Sequence, residues 1–170
     1  MSKKSGFTLL EALISLAILA LMAGFAMTSF ANILARAQIN TVVQNFQAAF
    51  YLAQKESIRS KHKIAICPSE DGFSCRDKWA AGYEIDYSCG FILFDTHTER
   101  ILRDFPPSNK KLKLVLRKGR GAKLEFLNNG RMPSNMNGAN LIATYKNQSI
   151  TVNIASTGRM RNASRYYENP

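Results

Sequence analysis

The chain has 170 residues and a formal charge of +11, with 23 Lys or Arg against 12 Asp or Glu. That length fits one compact domain with a real core behind an N-terminal extension. The charge is not evenly spread, which argues against a simple solubilising role. Residues 1–99 hold nine bases and nine acids, whereas residues 100–170 hold 14 bases against Asp104, Glu125 and Glu168, a net of +11. Such asymmetry favours a polyanionic partner, with nucleic acid and anionic lipid headgroups leading.

The first predicted element is apolar. Ala12 to Ala35 is a run of 24 residues without Asp, Glu, Lys or Arg. As a helix it measures about 36 Å, enough to span a bilayer. Lys3 and Lys4 precede it and would hold the N-terminus in the cytoplasm. A cleaved secretory signal could use Ala35-Arg36-Ala37 as its small-x-small site, but its apolar core usually runs to only about 7–15 residues. A simple anchor fits the length and leaves Glu11 unexplained, since an ionisable group at the bilayer centre costs roughly 2.5–3.5 kcal/mol.

Gly6-Phe7-Thr8-Leu9-Leu10-Glu11, with a short basic leader before it and a long apolar run after it, resembles the class III signal of type IV pilins and pseudopilins. The resemblance implies a leader of residues 1–6, cut after Gly6 by a prepilin peptidase that then methylates Phe7. Glu11 is implied to dock each subunit into the filament, where a neighbour's α-amino group makes the carboxylate tolerable. Residues 7–36 would then form the transmembrane and filament-core helix. The expected location is the inner membrane, single-pass with a periplasmic domain, and afterwards the pilus or cell surface among other major and minor pilins. Thr28 stands where many members of that family carry proline, so no proline kink is expected there.

The helix is expected to continue through residues 37–63 as an amphipathic stretch. Ile39, Val42, Val43, Phe46, Ala49, Phe50 and Ala53 recur at three- and four-residue steps, with Gln38, Asn40, Gln44, Gln47 and Gln54 on the other face. From residue 64 to 156 the pattern changes to short alternating runs. Strands are predicted at 64–67, 82–86, 91–95, 100–105, 112–117, 123–127, 140–146 and 149–155, with hairpin turns at Asn128-Asn129-Gly130 and Lys146-Asn147-Gln148-Ser149. The fold class is therefore α+β, a long N-terminal helix packed on an antiparallel sheet. Among pilin relatives this layout resembles the FimT/GspH branch.

Cys67, Cys75 and Cys89 do not have the close spacing of a zinc site, and no metal or cofactor is expected, even counting His62 and His97. Cys67 and Cys75 flank a Pro-Ser-Glu-Asp-Gly turn and could close a small disulfide loop in an oxidising compartment. Cys89 is the alternative partner for Cys67. Catalysis is not expected: there is no nucleophile elbow, zinc-protease helix or phosphate-binding glycine loop. Glu70-Asp71 and Glu84/Asp86 read as a polar turn and a solvent-facing strand.

Two basic segments point to binding. In Lys110-Lys111-Leu112-Lys113-Leu114-Val115-Leu116-Arg117-Lys118-Gly119-Arg120 the leucines would face the core. Lys111, Lys113 and Arg117 would line the opposite face, with Lys110, Lys118 and Arg120 extending the stripe. Residues 157–170 read as a basic tail containing Gly158-Arg159-Met160-Arg161 and Arg165. When extended, Arg159 and Arg161 point the same way about 6.5–7 Å apart, close to phosphate spacing along one strand. Gly158 would let the backbone approach the ligand. The same four residues resemble the G-R-x-R tail motif of DNA-binding members of the FimT branch, which implies double-stranded DNA as a partner, bound without sequence preference during natural transformation. The rival expectation is a structural minor pilin or type II secretion pseudopilin that primes assembly.

Overall fold

The computed structural model describes residues 8–75, 80–81, 84–107, 109, 111–117, 123–133, 139–146, 148–155 and 157–167; at 23, 25–29, 80–81 and 162–167 only the backbone is described. The chain divides into two compact units, Met1–Arg36 and Ala37–Pro170. Helix α1 runs from Leu9 to Ser60 and contributes to both.

In the first unit, Thr8 caps α1. The Glu11 N–H donates to Thr8 Oγ1 at 3.3 Å and to the Thr8 carbonyl at 3.1 Å. Thr8-Leu9-Leu10-Glu11 thus has the spacing of a capping box, and the carboxylate sits where the helix dipole favours negative charge. Leu9, Leu10, Leu13, Ile14, Leu16, Ile18, Leu19 and Leu21 are all exposed. Among the described residues no helix is long and apolar enough to cross a membrane. Side chains 23 and 25–29, inside the Ala12–Ala35 run, lie outside the description.

The second unit begins with residues 37–60 of α1. Ile39, Val42, Val43, Phe46, Ala49, Phe50 and Ala53 are buried, as their spacing predicts. The helix stops at Lys61, which takes a left-handed φ of 60°, while Ser60 Oγ accepts the His62 N–H at 3.2 Å. Such a residue ends α-helices because it turns the chain out of the helical repeat.

Among the described residues ten strands follow, forming two antiparallel sheets where the sequence suggests one. They are β1 (Ile64–Pro68), β2 (Ala80–Ala81), β3 (Glu84–Asp86), β4 (Phe91–Asp95), β5 (Arg100–Phe105), β6 (Lys113–Arg117), β7 (Leu124–Phe126), β8 (Ala139–Tyr145), β9 (Gln148–Ile154) and β10 (Met160–Tyr167). One sheet has the order β5-β4-β1-β7 and the other β10-β9-β8-β6-β3-β2. The inner faces of both close on the α1 face in one core. Phe46 lies at its centre, edge-on to Tyr87 at 5.2 Å and to Phe91 at 5.4 Å. The Tyr87 hydroxyl donates to the Ile66 carbonyl at 3.1 Å and so ties the region before β4 to β1.

Three expectations are corrected. Residues 160–167 are not a tail but β10, antiparallel to β9 with Met160 opposite Ile154 and Tyr167 opposite Gln148. Its sequence lacks apolar alternation, and the strand is held by backbone bonds to its one neighbour, β9. The Asn128-Asn129-Gly130 turn exists, with the Gly130 N–H on the Leu127 carbonyl at 2.8 Å, but it joins no paired strands. β7 pairs with β1, and the chain then crosses to the other sheet. The two-residue strand β2 carries too little pattern to be seen in advance. By contrast Lys146, with φ 53°, turns β8 directly into β9, placing Tyr145 opposite Gln148.

Candidate functional site

The β9–β10 hairpin presents the two arginines singled out in the sequence. Its turn is closed by the Gly158 N–H on the Ala155 carbonyl and the Ala155 N–H on the Arg159 carbonyl, both at 2.9 Å. Gly158 takes a φ of +77° and lies against the Gln54 side chain. Gln54 Nε2 also donates to the Gly130 carbonyl at 3.0 Å, so one helix residue supports two turns. Gly158 therefore faces the protein, a correction to its reading as a ligand contact. Arg159 and Arg161 follow it, both exposed.

Strand register extends this site. Arg161 is opposite Asn153 on β9, Asn153 opposite Asn140 on β8, Asn140 opposite Arg117 on β6, and Arg117 opposite Glu84 on β3. Directly paired residues share a sheet face, and all five side chains are exposed. The adjacent row Val152, Leu141, Leu116 is fully buried, as the two-residue period requires. The second basic segment thus meets the first on one solvent face, a relation that spacing along the chain cannot reveal.

Lys111, Lys113 and Arg117 are exposed and Leu112, Leu114 and Leu116 buried. Arg117 Nε lies 2.5 Å from Glu84 Oε1, an exposed ion pair. Lys110, Lys118 and Arg120 lie outside the described residues. Arg165 does not follow Arg161 in register: a bulge between Asn162 and Ser164 shifts the alternation by one, and Arg165 pairs with Ile150. Asn140 and Asn153 were missed in the sequence. The available signal was an Asn inside each of two strand patterns, where that residue is disfavoured.

Elsewhere, Cys67 and Cys75 form a disulfide. Cys89 is half-buried with its sulfur 3.7 Å from the Gly90 carbonyl. Asp71 braces the disulfide loop, accepting from Ser69 Oγ, Ser74 Oγ and the N–H groups of Phe73 and Ser74. These bonds, led by Ser74 Oγ, hold its carboxyl well below the usual range. Buried Asp95 binds His62 Nδ1 at 2.9 Å, and the His62 and His97 rings lie 4.5 Å apart. Among the described residues no group of three or more His, Cys, Asp or Glu is placed to hold a metal. Gly6 and Phe7 lie outside the description.

A long N-terminal helix whose second half closes two antiparallel sheets, behind a capped Thr-x-x-Glu start, defines a pilin-type α+β protein. Residues 42–158 match the family described as Type II transport protein GspH, and residues 1–27 match the prokaryotic N-terminal methylation motif. The chain belongs to the GspH family. It is a minor pilin or pseudopilin, and its methylation motif implies processing by a prepilin peptidase and pilin partners. A comparison with curated protein sequences finds no match. Solved structures share the fold. A crystal structure of the type IV minor pilin FimU of Pseudomonas aeruginosa strain PAO1 has a TM-score of 0.54 at 16% identity, over 76% of this chain and 90% of that one. A second crystal form gives 0.52 at 15%, over 74% and 92%. The minor pseudopilin EpsH of the Vibrio cholerae type 2 secretion system gives 0.51 at 14%, over 75% and 97%.

Proposed function

We propose that this chain is a FimT-like minor pilin that binds extracellular DNA for uptake by a type IV pilus during natural transformation. The observation that carries the reading is the basic edge of the larger sheet, Arg159 and Arg161 on a braced hairpin, in the half of the chain that holds all the surplus charge. Guanidinium forks suit phosphate oxygens, so binding is electrostatic and independent of sequence. A lone subunit should bind at about 10⁻⁴–10⁻⁶ M, weakening steeply with salt. Tighter capture requires several subunits or other pilins on the same DNA.

The test titrates the full chain, in mild detergent, with duplex DNA at low and high salt. Arg159→Ala/Arg161→Ala should weaken binding and lower the slope of log affinity against log salt by about 1 for each lost contact. No salt-sensitive binding, or a variant that behaves as the native chain, would end the proposal.

In the same reading the leader ends at Gly6, Phe7 is methylated, and residues 7–36 lie in the inner membrane before assembly. Glu11 then pairs with a neighbour's amino terminus. Glu11→Gln should leave processing intact and block incorporation into filaments; normal incorporation would refute that role.

A second reading is favoured by the family's description as a type II transport protein and by the likeness to EpsH. A pseudopilin would direct the basic face to acidic neighbours in its own filament. Loss of secretion, with no DNA binding at any salt concentration, would support it.

A further inference from the structure

We propose that the interface extends from the β10 edge across the sheet along Arg161, Asn153, Asn140 and Arg117, and that Glu84 closes its inner end. The inference rests on the DNA-binding reading above. The four residues occupy one register row, exposed throughout, on β10, β9, β8 and β6. Three strand spacings separate the backbones of Arg161 and Arg117, about 14 Å in all. That span is comparable to the roughly 12 Å width of a duplex major groove. A guanidinium therefore stands at each end of a span that two phosphate rims can bridge.

Between them lie two amides, each with two N–H donors and no charge. Asn is a poor strand former, and two side by side in the middle of a six-stranded sheet contribute little to folding. Between the two rims the groove presents acceptors, including the purine N7 that every base pair carries, and these give those donors partners directly or through water without selecting a sequence. The occupant is duplex DNA, argued from charge complementarity: this row belongs to the segment carrying 14 bases and three acids.

Glu84 is the next residue in the row, and its carboxylate holds Arg117 at 2.5 Å. Both partners are exposed, so the pair is weak and Arg117 can exchange Glu84 for a phosphate. The carboxylate also repels any phosphate that passes beyond Arg117. It limits the footprint and competes for one of its two end contacts.

The full chain in detergent is titrated with a short duplex at fixed salt. Asn153→Asp and Asn140→Asp, near-isosteric changes on an exposed face, should each weaken binding about tenfold with the melting temperature held. Glu84→Gln should tighten binding by roughly three- to tenfold, because it frees Arg117 and removes a like charge. Glu99→Gln, on the exposed turn before β5, controls for net charge and should change affinity much less. If the native chain binds and Arg161→Ala weakens it while both Asp variants bind as the native chain does, the extended row is refuted and the edge site stands. The row is equally refuted if Glu99→Gln tightens binding as much as Glu84→Gln. If the native chain binds no DNA at all, the proposed function itself falls and this inference with it.

Discussion

Gly158 packs on Gln54 so closely that a methyl group on its Cα would come within 2.8 Å of the Gln54 Nε2. With its φ of +77°, the hairpin that presents Arg159 and Arg161 is anchored to the helix at a point that favours glycine. Gly158→Ala should cost about 1–3 kcal/mol, from left-handed strain together with the displaced amide. Denaturant unfolding gives the number. Adding Gln54→Ala should relieve the contact and leave the strain; a Gly158→Ala protein as stable as the native one would refute this account of the turn.

The Cys67–Cys75 bridge spans eight residues of sequence and closes over the outer face of the smaller sheet, where Ala65, Cys67 and Ile92 form a second core with Cys75 packed on it. A loop this short should contribute about 2.5 kcal/mol through the unfolded state. Cys67→Ser/Cys75→Ser should lower the denaturation midpoint by that amount. Reductant should do the same to the native chain and nothing to the variant. Equal stability with and without reductant would contradict the prediction.

Asp95 titrates in the acid range. Burial alone would raise its pKa, but hydrogen bonds from His62, the backbone of His97 and the Thr98 residue outweigh it and bring the value from 3.8 to about 2. Between those values the unfolded chain binds the proton and the folded chain does not, so stability rises with pH there. The contribution is complete above the unfolded value and is lost as pH falls through about 2. Denaturant midpoints measured down that range should fall more steeply for the native chain than for Asp95→Asn. Parallel curves would show that Asp95 is not the group responsible.

Phe46 touches Tyr87 and Phe91 at the centre of the main core and is fully buried. Phe46→Ala should destabilise the second unit by about 3–5 kcal/mol, a large part of what a domain this size commands. Thermal unfolding followed by circular dichroism would test it; a shift of only a degree or two would mean the site collapses around the cavity.

Local signals made much of this legible in advance. The α1 face from Ile39 to Ala53 could be read because burial repeats at the helical period, and β4 because its apolar run is bounded by turn residues. The alternation of Leu112, Leu114 and Leu116 with Lys111, Lys113 and Arg117 gave the faces of β6 correctly. The β10 strand was hidden because Met160-Arg161-Asn162-Ala163-Ser164-Arg165 has no apolar period of its own. It is ordered by backbone bonds to β9, which leave no mark on side-chain choice. The bulge that moves Arg165 out of step was hidden for the same reason.

The sequence alone determined the kind of protein: a Gly-Phe-Thr-Leu-Leu-Glu start, a long apolar helix and an antiparallel β domain, each written in residue order within a few turns of chain. It also determined that the surplus charge lies in the last 71 residues. Only the tertiary structure decided that Arg161 and Arg117, 44 positions apart, stand in one row with Asn153 and Asn140 between them. The physical reason is that strand register is a long-range property. It is set by how two sheets share one core against α1, and no local spacing encodes which residues of four separate strands will lie side by side.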